Sequence, residues 1–349
     1  MDRNREREPR SRVLAFILSF IFIGAGHAYL GQTRRGLWLL GVGFGCLCLA
    51  AGVLAIAGPL TIAGVLLAVL TLALYRLVLA VDTLLIPEEQ FVYLSWGRVV
   101  LQGMGLAVLG FALAILTRTF VLEAFKIPSG AMIPTLFVED HIFANKLTYR
   151  IREPVRGEVA IFAFPEKPEQ DFAKRVIGRG GDRVEAKQGH PWINGWEVPH
   201  CVLGTATLRR GLEGEAPRPY QIEVEFLEGK AFLTMFDLQN QSVEYQGPYA
   251  VAQGEFFVMG DNRHNSYDSR LWFAGQGGGV PRDLMHAPAT LIWFSVNASG
   301  LDWSGFGRSV DGRSLSLPSQ LHALEPQFEK CMKEAPPFDR TVPPARVDR

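Results

Sequence analysis

Three stretches of this 349-residue sequence hold side chains that could do chemistry together. Residues 125–136 read F-K-I-P-S-G-A-M-I-P-T-L. Pro128 and Pro134 fix φ and exclude helix, so the stretch is extended or turning. Between them Ser129, Gly130 and Ala131 are small, which lets a second backbone come close and exposes amide N–H groups and a hydroxyl on one rim. Lys174 stands in A-K-R-V-I-G-R-G-G-D-R-V. A lysine acts as a general base only when neutral, so its ordinary pKa of about 10.4 must fall to roughly 7–8 by burial away from water and anions. Residues 260–270 read G-D-N-R-H-N-S-Y-D-S-R and directly follow the apolar run 255–259. Two Asp and two Arg interleaved with two Ser suit a buried hydrogen-bonded network that holds a neighbour in place. Ser266 could orient the Lys174 amine, while Asp268 and Arg270 pair and brace the loop. Each stretch also has a purely structural reading: a buried Pro-rich turn, a solvated Lys174–Arg175 pair in a loop, a polar surface loop. Taken as a set they meet the needs of a Ser/Lys acyl-transfer site.

The elements that must carry these residues divide the chain in two. With 48% hydrophobic residues there is material for a membrane region and one globular domain. Charge is nearly absent from about residue 13 to 120, and the rest has the composition of a soluble protein. The formal net charge of +0 gives no basis for a nucleic-acid partner. Cys46 and Cys48 lie in an apolar run; Cys201 and Cys331 are in no metal-ligand spacing, and a disulfide between them is open to them but is not the expectation.

Residues 1–12 are basic, with Arg3, Arg5, Arg7, Arg10 and Arg12. Apolar runs follow at 13–30, 36–57, 60–86 and 99–121, each near the ~20 residues a helix needs to cross a hydrocarbon core of ~30 Å. Three or four transmembrane spans are therefore expected over 13–121. The positive-inside rule puts Arg3–Arg12, Arg34, Arg35 and Arg98 on the cytoplasmic side, which requires that 13–30 dips in and returns. Its second half, G-A-G-H-A-Y-L-G-Q, is interrupted by glycine and resembles the Gly/His/Tyr loop of small two-helix membrane modules, with His27 a packing residue rather than a ligand. Three true spans leave the rest of the chain facing outward.

From 122 to 316 the sequence has β character. Runs at 141–145, 158–163, 183–186, 221–226, 255–259 and 291–296 alternate with Gly, Pro and Asn punctuation. Asn194–Gly195 between Trp192–Ile193 and Trp196 signals a tight hairpin turn. A mostly antiparallel β domain is expected, with an inserted subdomain at about 187–250. The tail, 317–349, is expected to be disordered.

Four motifs in this order resemble those of bacterial type I signal peptidases, membrane-anchored Ser/Lys proteases: I-P-S-G-A-M-I-P-T-L, D-H-I-F-A-N-K with R-G-E-V-A-I-F, K-R-V-I-G-R-G-G-D, and G-D-N-R-H-N-S-Y-D-S-R. The likeness spans about 125–296. It implies a multi-span α-helical anchor followed by a β catalytic domain of signal-peptidase type on the extracytoplasmic side of the cytoplasmic membrane. Exported preproteins are the implied partners, with the lipid bilayer, and no cofactor or metal. By the same resemblance Lys174 is the general base and Ser266 positions its amine. Asp261, Asp268, Arg270 and Arg175 form the supporting network, and Ser129 offers a side-chain donor to the oxyanion hole. Ile127, Pro128, Met132 and Phe143 line shallow pockets for small side chains before the cut, along an extended strand at 128–132. The family's S-x-S-M motif supplies the nucleophile from its second serine, and here that position is Ala131. Loss of such a nucleophile costs on the order of 10⁶ in rate. Smaller departures are Glu139 where glycine is usual, Gly180 where proline is usual and His264 where aspartate is usual. Three readings follow: an active peptidase in which Ser129 attacks instead, a preprotein-binding homologue or knockout variant without activity, and a membrane module that kept only the scaffold. A LexA-like self-cleaving Ser/Lys protein is a more distant alternative.

Overall fold

The computed structural model describes residues 10–22, 24–43, 45, 62–92, 96–120, 122–209, 216–239, 244–297, 300–303, 305–336 and 342–344. Contacts divide the chain into a helical unit, Met1–Gly58 with Ile62–Val121, and a unit that is chiefly Leu122–Arg349.

In the helical unit the run 13–30 is not one helix. It forms Arg12–Ile21, capped by the Ser11 hydroxyl, and the five-residue Ala25–Tyr29, separated by Gly24 at φ 83°. At 1.5 Å per residue neither piece approaches a ~30 Å hydrocarbon core. Helices Ile62–Leu85 and Trp96–Phe120 occupy the two later apolar runs, and most of the run at 36–57 lies outside the described residues. Arg76 and Asp82 interrupt the first of these helices, and Arg98 and Gln102 the second. Among the described residues no helix is long and apolar enough to cross a membrane. The expected three or four spans are thus not carried by the structure. A small core of Ala15, Tyr29, Leu30, Ile86, Phe91 and Val99 holds the unit. His27 is buried, with Nε2 2.8 Å from Asp82 Oδ2 and Nδ1 3.4 Å from the Ser19 hydroxyl, so it ties helices together.

The second unit is antiparallel β. Its first strands are β1 (Leu122–Lys126), β2 (His141–Asn145), β3 (Val159–Phe164) and β4 (Lys167–Arg179). Next come β5 (Arg183–Lys187), β6 (His190–Ile193), β7 (Trp196–Glu197), β8 (His200–Leu208), β9 (Arg218–Leu227), β10 (Lys230–Asp237) and β11 (Tyr245–Ala250). The last are β12 (Glu255–Met259), β13 (Val280–Pro281) and β14 (Met285–Phe294). A seven-stranded sheet runs β1-β2-β14-β3-β4-β12-β13. Residues in the region of the expected insert form β10-β9-β8 and, with β5, β11-β5-β6-β7. Asn194 and Gly195, at φ 56° and 80°, make the two-residue turn joining β6 to β7.

β3 is buried along its whole length, as befits a central strand covered on both faces: Val159 and Ile161 join a core with Ile142 and Ala289, and Ala160, Phe162 and Phe164 join another with Val176, Val258 and Trp272. β4 is two-part: its first half is an exposed ribbon and its second half, from Lys174, is buried. The purely structural reading has Lys174 in a solvated loop. It stands instead mid-strand, paired with Ala160, because V-I-G continues the sheet before the Gly180–Gly181 turn.

The tail departs from the expected disorder. Residues Ser319–Leu324 form a 3-10 turn and Glu325–Lys333 an α-helix, which lay Leu317, Leu321, Leu324 and Phe328 on Ile222, Val224 and Leu233. The Pro-rich end misled because these four apolar residues find a partner only in the tertiary structure. Cys201 on β8 and Cys331 in this helix form a disulfide, with Cα atoms 6.2 Å apart.

Candidate active site

β1 ends at Lys126, and Ser129, with φ −137° and ψ 155°, is the last extended residue before a 3-10 turn over Gly130–Met132. The expected strand at 128–132 is therefore a turn. Ser129 and Ala131 are thus not the same-face neighbours that an extended strand would make of them. The turn is pinned from behind by Asn262. Its backbone N–H donates to the Ala131 carbonyl at 3.1 Å, and its Nδ2 donates to the Gly130 carbonyl at 3.0 Å. Asn262 lies inside the G-D-N motif, but nothing in sequence spacing revealed this double clamp.

Lys174 and Arg175 follow one another on β4, so their side chains leave opposite faces of the sheet. Lys174 turns to a cleft of about 680 Å³ lined by Ile127–Met132 on one wall, Asp171–Lys174 on another and His264–Tyr267 on a third. It is 5% exposed. Burial lowers its amine to about 8; Asp268 and Asp261 oppose the shift and the Arg270 guanidinium reinforces it. Arg175 turns the other way. Its guanidinium meets both oxygens of Asp261 at 2.7 and 2.5 Å, donates to the Gly157 carbonyl at 2.7 Å and stacks 4.0 Å from the centre of the Phe232 ring. The Thr135 hydroxyl donates to Asp261 Oδ2 at 2.5 Å, which ties the far end of the 125–136 stretch to the same carboxylate.

The loop 260–270 leaves β12 and supplies that third wall through His264–Tyr267. Asp268 and Arg270 pair there, both buried: Arg270 Nε donates to Oδ1 at 2.8 Å and Nη2 to Oδ2 at 2.8 Å. Burial alone would raise the Asp268 carboxyl, but Arg270, Lys174 and the Gly260 N–H hold it below the usual carboxylate range. That N–H donates to Asp268 Oδ2 at 2.9 Å. A Cβ added at Gly260 would lie 2.2 Å from Ser266 Oγ and 2.5 Å from the Ala131 carbonyl oxygen, so only glycine lets the loop and the turn close on each other. Ser266 Oγ is buried and has no hydrogen-bond partner among the described residues. Ser266 and Lys174 share the cleft, yet no hydrogen bond joins them.

Of the residues singled out from sequence, Lys174, Ala131, Ser129, Ser266, Ile127, Pro128 and Met132 all line this cleft, and Asp261, Asp268, Arg270 and Arg175 form two buried ion pairs around it. Phe143 does not join them. It stacks on Trp293 at 5.1 Å, away from the lining. Asp171, Phe172 and Tyr267 line the cleft without having been singled out. Asp171 and Phe172 belong to the strand that carries Lys174, and recognising that strand would have found them.

An antiparallel β domain that turns one buried lysine into a cleft between a Pro-bracketed turn and a G-D-N loop is of the signal-peptidase type. The chain belongs to the signal peptidase family, peptidase S26, whose sequence model matches residues 100–294. It is similar to signal peptidase I of Aquifex aeolicus strain VF5, 32% identical over 210 residues, which is 53% of this chain and 80% of that one. It is also similar to the probable signal peptidase I-2 of Synechocystis, at 35% over 54% of this chain and 71% of that one. Signal peptidase I of Pseudomonas fluorescens matches at 33%, over 50% of this chain and 62% of that one.

Proposed function

We propose that this chain receives signal peptides of exported preproteins in the Lys174 cleft, and that hydrolysis there is blocked at Ala131. The observation that carries the reading is the buried Lys174 amine, lowered to about 8, in the wall of a cleft whose opposite wall is the turn of small residues 129–131. A desolvated lysine is costly to keep and is what a general base in acyl transfer requires. In this reading a preprotein lies along 127–132 with small side chains toward Ile127 and Met132. Ser129 aims its hydroxyl at the carbonyl oxygen of the scissile bond, and Ser266 steadies the lysine. The alanine at 131 leaves no group to attack that carbonyl.

The test is incubation of a purified preprotein with this chain and with Ala131→Ser. Cleavage by the variant alone is the expected outcome, with rate restored by several orders of magnitude. The proton of the introduced hydroxyl passes to the neutral Lys174 amine as the acyl bond forms, and returns to the leaving amine. Adding Ser129→Ala to that variant should lower kcat by about 10²–10³ through loss of an oxyanion donor. If this chain as it stands cleaves as fast as Ala131→Ser, the reading fails.

Association of the helical unit with a membrane belongs to the same proposal. Its exposed side chains include Val13, Ile17, Phe20, Trp38, Leu74, Val78, Leu101, Met104 and Phe111. Large apolar side chains facing outward in such number call for lipid or protein cover. The Cys201–Cys331 disulfide favours an oxidising compartment for the β unit, as the extracytoplasmic side provides.

A further inference from the structure

The polar face of β9 carries a second group of chemistry-bearing side chains. β9 alternates: Tyr220, Ile222, Val224 and Phe226 pack under the C-terminal helix, while Gln221, Glu223 and Glu225 face the other way. Glu225 has its countercharge there, the Arg263 guanidinium, with Nη2 2.6 Å from Oε2. Among the described residues Glu223 has neither arginine nor lysine beside it, although it is only 1% exposed. Its neighbours are His190, whose Nε2 lies 2.8 Å from Oε2, and Gln221, whose Nε2 donates to Oε1 at 2.6 Å. His200 on β8 stacks on His190 with ring centres 4.2 Å apart. One nitrogen or oxygen from each of His190, His200 and Glu223 lies within 4.8 Å of the others.

We propose that His190, His200 and Glu223 form a binding site for a divalent transition-metal ion of the zinc class, tying β6 to β8 and β9. Two imidazoles and one carboxylate are the donors such an ion prefers. At bond lengths of about 2.0–2.1 Å, ligand atoms in a tetrahedral site stand roughly 3.3 Å apart, so His190 Nε2 and Glu223 Oε2 need part by only about half an ångström. The outer contacts already suit ligation. Gln221 occupies Oε1 and leaves Oε2 turned to His190. His200 Nδ1 faces the Val198 carbonyl at 3.4 Å, which leaves Nε2 with its lone pair. A cleft of about 510 Å³, lined in part by His190, Gln221 and Phe236, borders the group at His190 and gives an ion a way in. On binding, the ion replaces the hydrogen bond between His190 and Glu223, and the proton at Nε2 moves to Nδ1 or to water.

The experiment uses the full chain, purified in mild detergent without a polyhistidine tag, freed of metal with a chelator and titrated with zinc chloride in a calorimeter. A saturable isotherm at one ion per chain is expected. His200→Gln should weaken binding at least tenfold while melting with the parent, since His200 is half-buried, and Gln221→Ala should weaken it by about 10-fold through the lost outer contact. With cobalt(II) in place of zinc, two paramagnetically shifted imidazole N–H resonances should appear, a readout that needs no variant to fold. An ion pair that binds no metal gives no saturable isotherm, and that result overturns the proposal. So does zinc affinity unchanged in folded His200→Gln, or a cobalt complex lacking imidazole signals.

Discussion

Lys174 and Arg175 are neighbours of like charge with opposite fates, because a strand sends successive side chains to opposite faces. Arg175 finds Asp261 and pairs with it in the core; Lys174 finds a cleft and is pushed toward neutrality. The direction of that shift fixes a pH profile. In the proposed role the amine works as a base only when unprotonated, so with a pKa of about 8 peptide cleavage by Ala131→Ser should rise roughly tenfold from pH 7 to pH 9 and then level. A profile flat across this range would remove Lys174 from the base role. The same shift has a stability sign. Between pH 8 and the unfolded-state value of 10.5 the unfolded chain binds a proton that the folded chain does not, so stability gained from this group rises with pH across that window. Below it the buried charge is a pure cost. Lys174→Met should therefore raise Tm at pH 7, with the gain shrinking toward pH 10; calorimetric melts at the two pH values check it. Glu139 is a smaller case. It sits at φ 73°, where a glycine is free of strain, and its carboxylate pairs with Lys126 at 2.7 Å at an exposed site.

The turn 130–132 and the loop 260–270 act as one element, since each is held by the other through Asn262, Gly260 and the Asp268–Arg270 pair. Removing one partner of a buried pair leaves the other uncompensated, so Asp268→Ala should cost roughly 3–5 kcal/mol. A thermal melt of the variant checks this: a fall of several degrees is expected, and a midpoint within a degree of the parent would mean that the pair is solvated. Gly260→Ala should impair peptide binding as well as folding, because its Cβ lands on Ser266 and on the Ala131 carbonyl. The strands around these elements were legible where apolar residues alternate between clear breaks. β2 and β12 match the runs read at 141–145 and 255–259 residue for residue. β4 was not legible, since its first half, Lys167–Asp171, is a polar ribbon with no buried face. The 129–132 turn read as strand because two prolines exclude helix without choosing between strand and 3-10 turn. Partner identities, such as Asn262 with Gly130 or Arg175 with Asp261, are contacts across 86 residues or more that no local pattern carries.

At the scale of the molecule, composition separated a helical part from a β part near residue 121, and contacts divide the chain there as well. Composition misjudged the C-terminal end. A stretch with Pro318, Pro326, Pro336 and Pro337 reads as linker, yet Pro326 sits in the first turn of Glu325–Lys333, where its missing N–H costs nothing. The apolar side chains of this segment close the face of the β10-β9-β8 sheet opposite Glu223. Leu317, Leu321, Leu324 and Phe328 are buried there, and fully burying such side chains is worth about 1.5–3 kcal/mol each. Together that is roughly 6–12 kcal/mol, comparable with the whole stability of an ordinary domain, about 5–15 kcal/mol. Farther on, the Pro343 carbonyl accepts from Asn194 Nδ2 at 2.7 Å and Val342 packs on the core around Ile193 and Phe257. The segment thus reaches both inserted sheets. Deleting 317–349 should expose the apolar face of β9 and β10 and lose the Cys201–Cys331 tether. The expected result is rapid proteolysis within β8–β10 and a melt lowered by more than ten degrees, or no folded β unit at all. Cys331→Ala alone should keep the helix docked and cost far less, because the four apolar side chains remain in place. A truncated chain that resists protease and melts with the parent would show that this sheet is held by something other than the C-terminal helix.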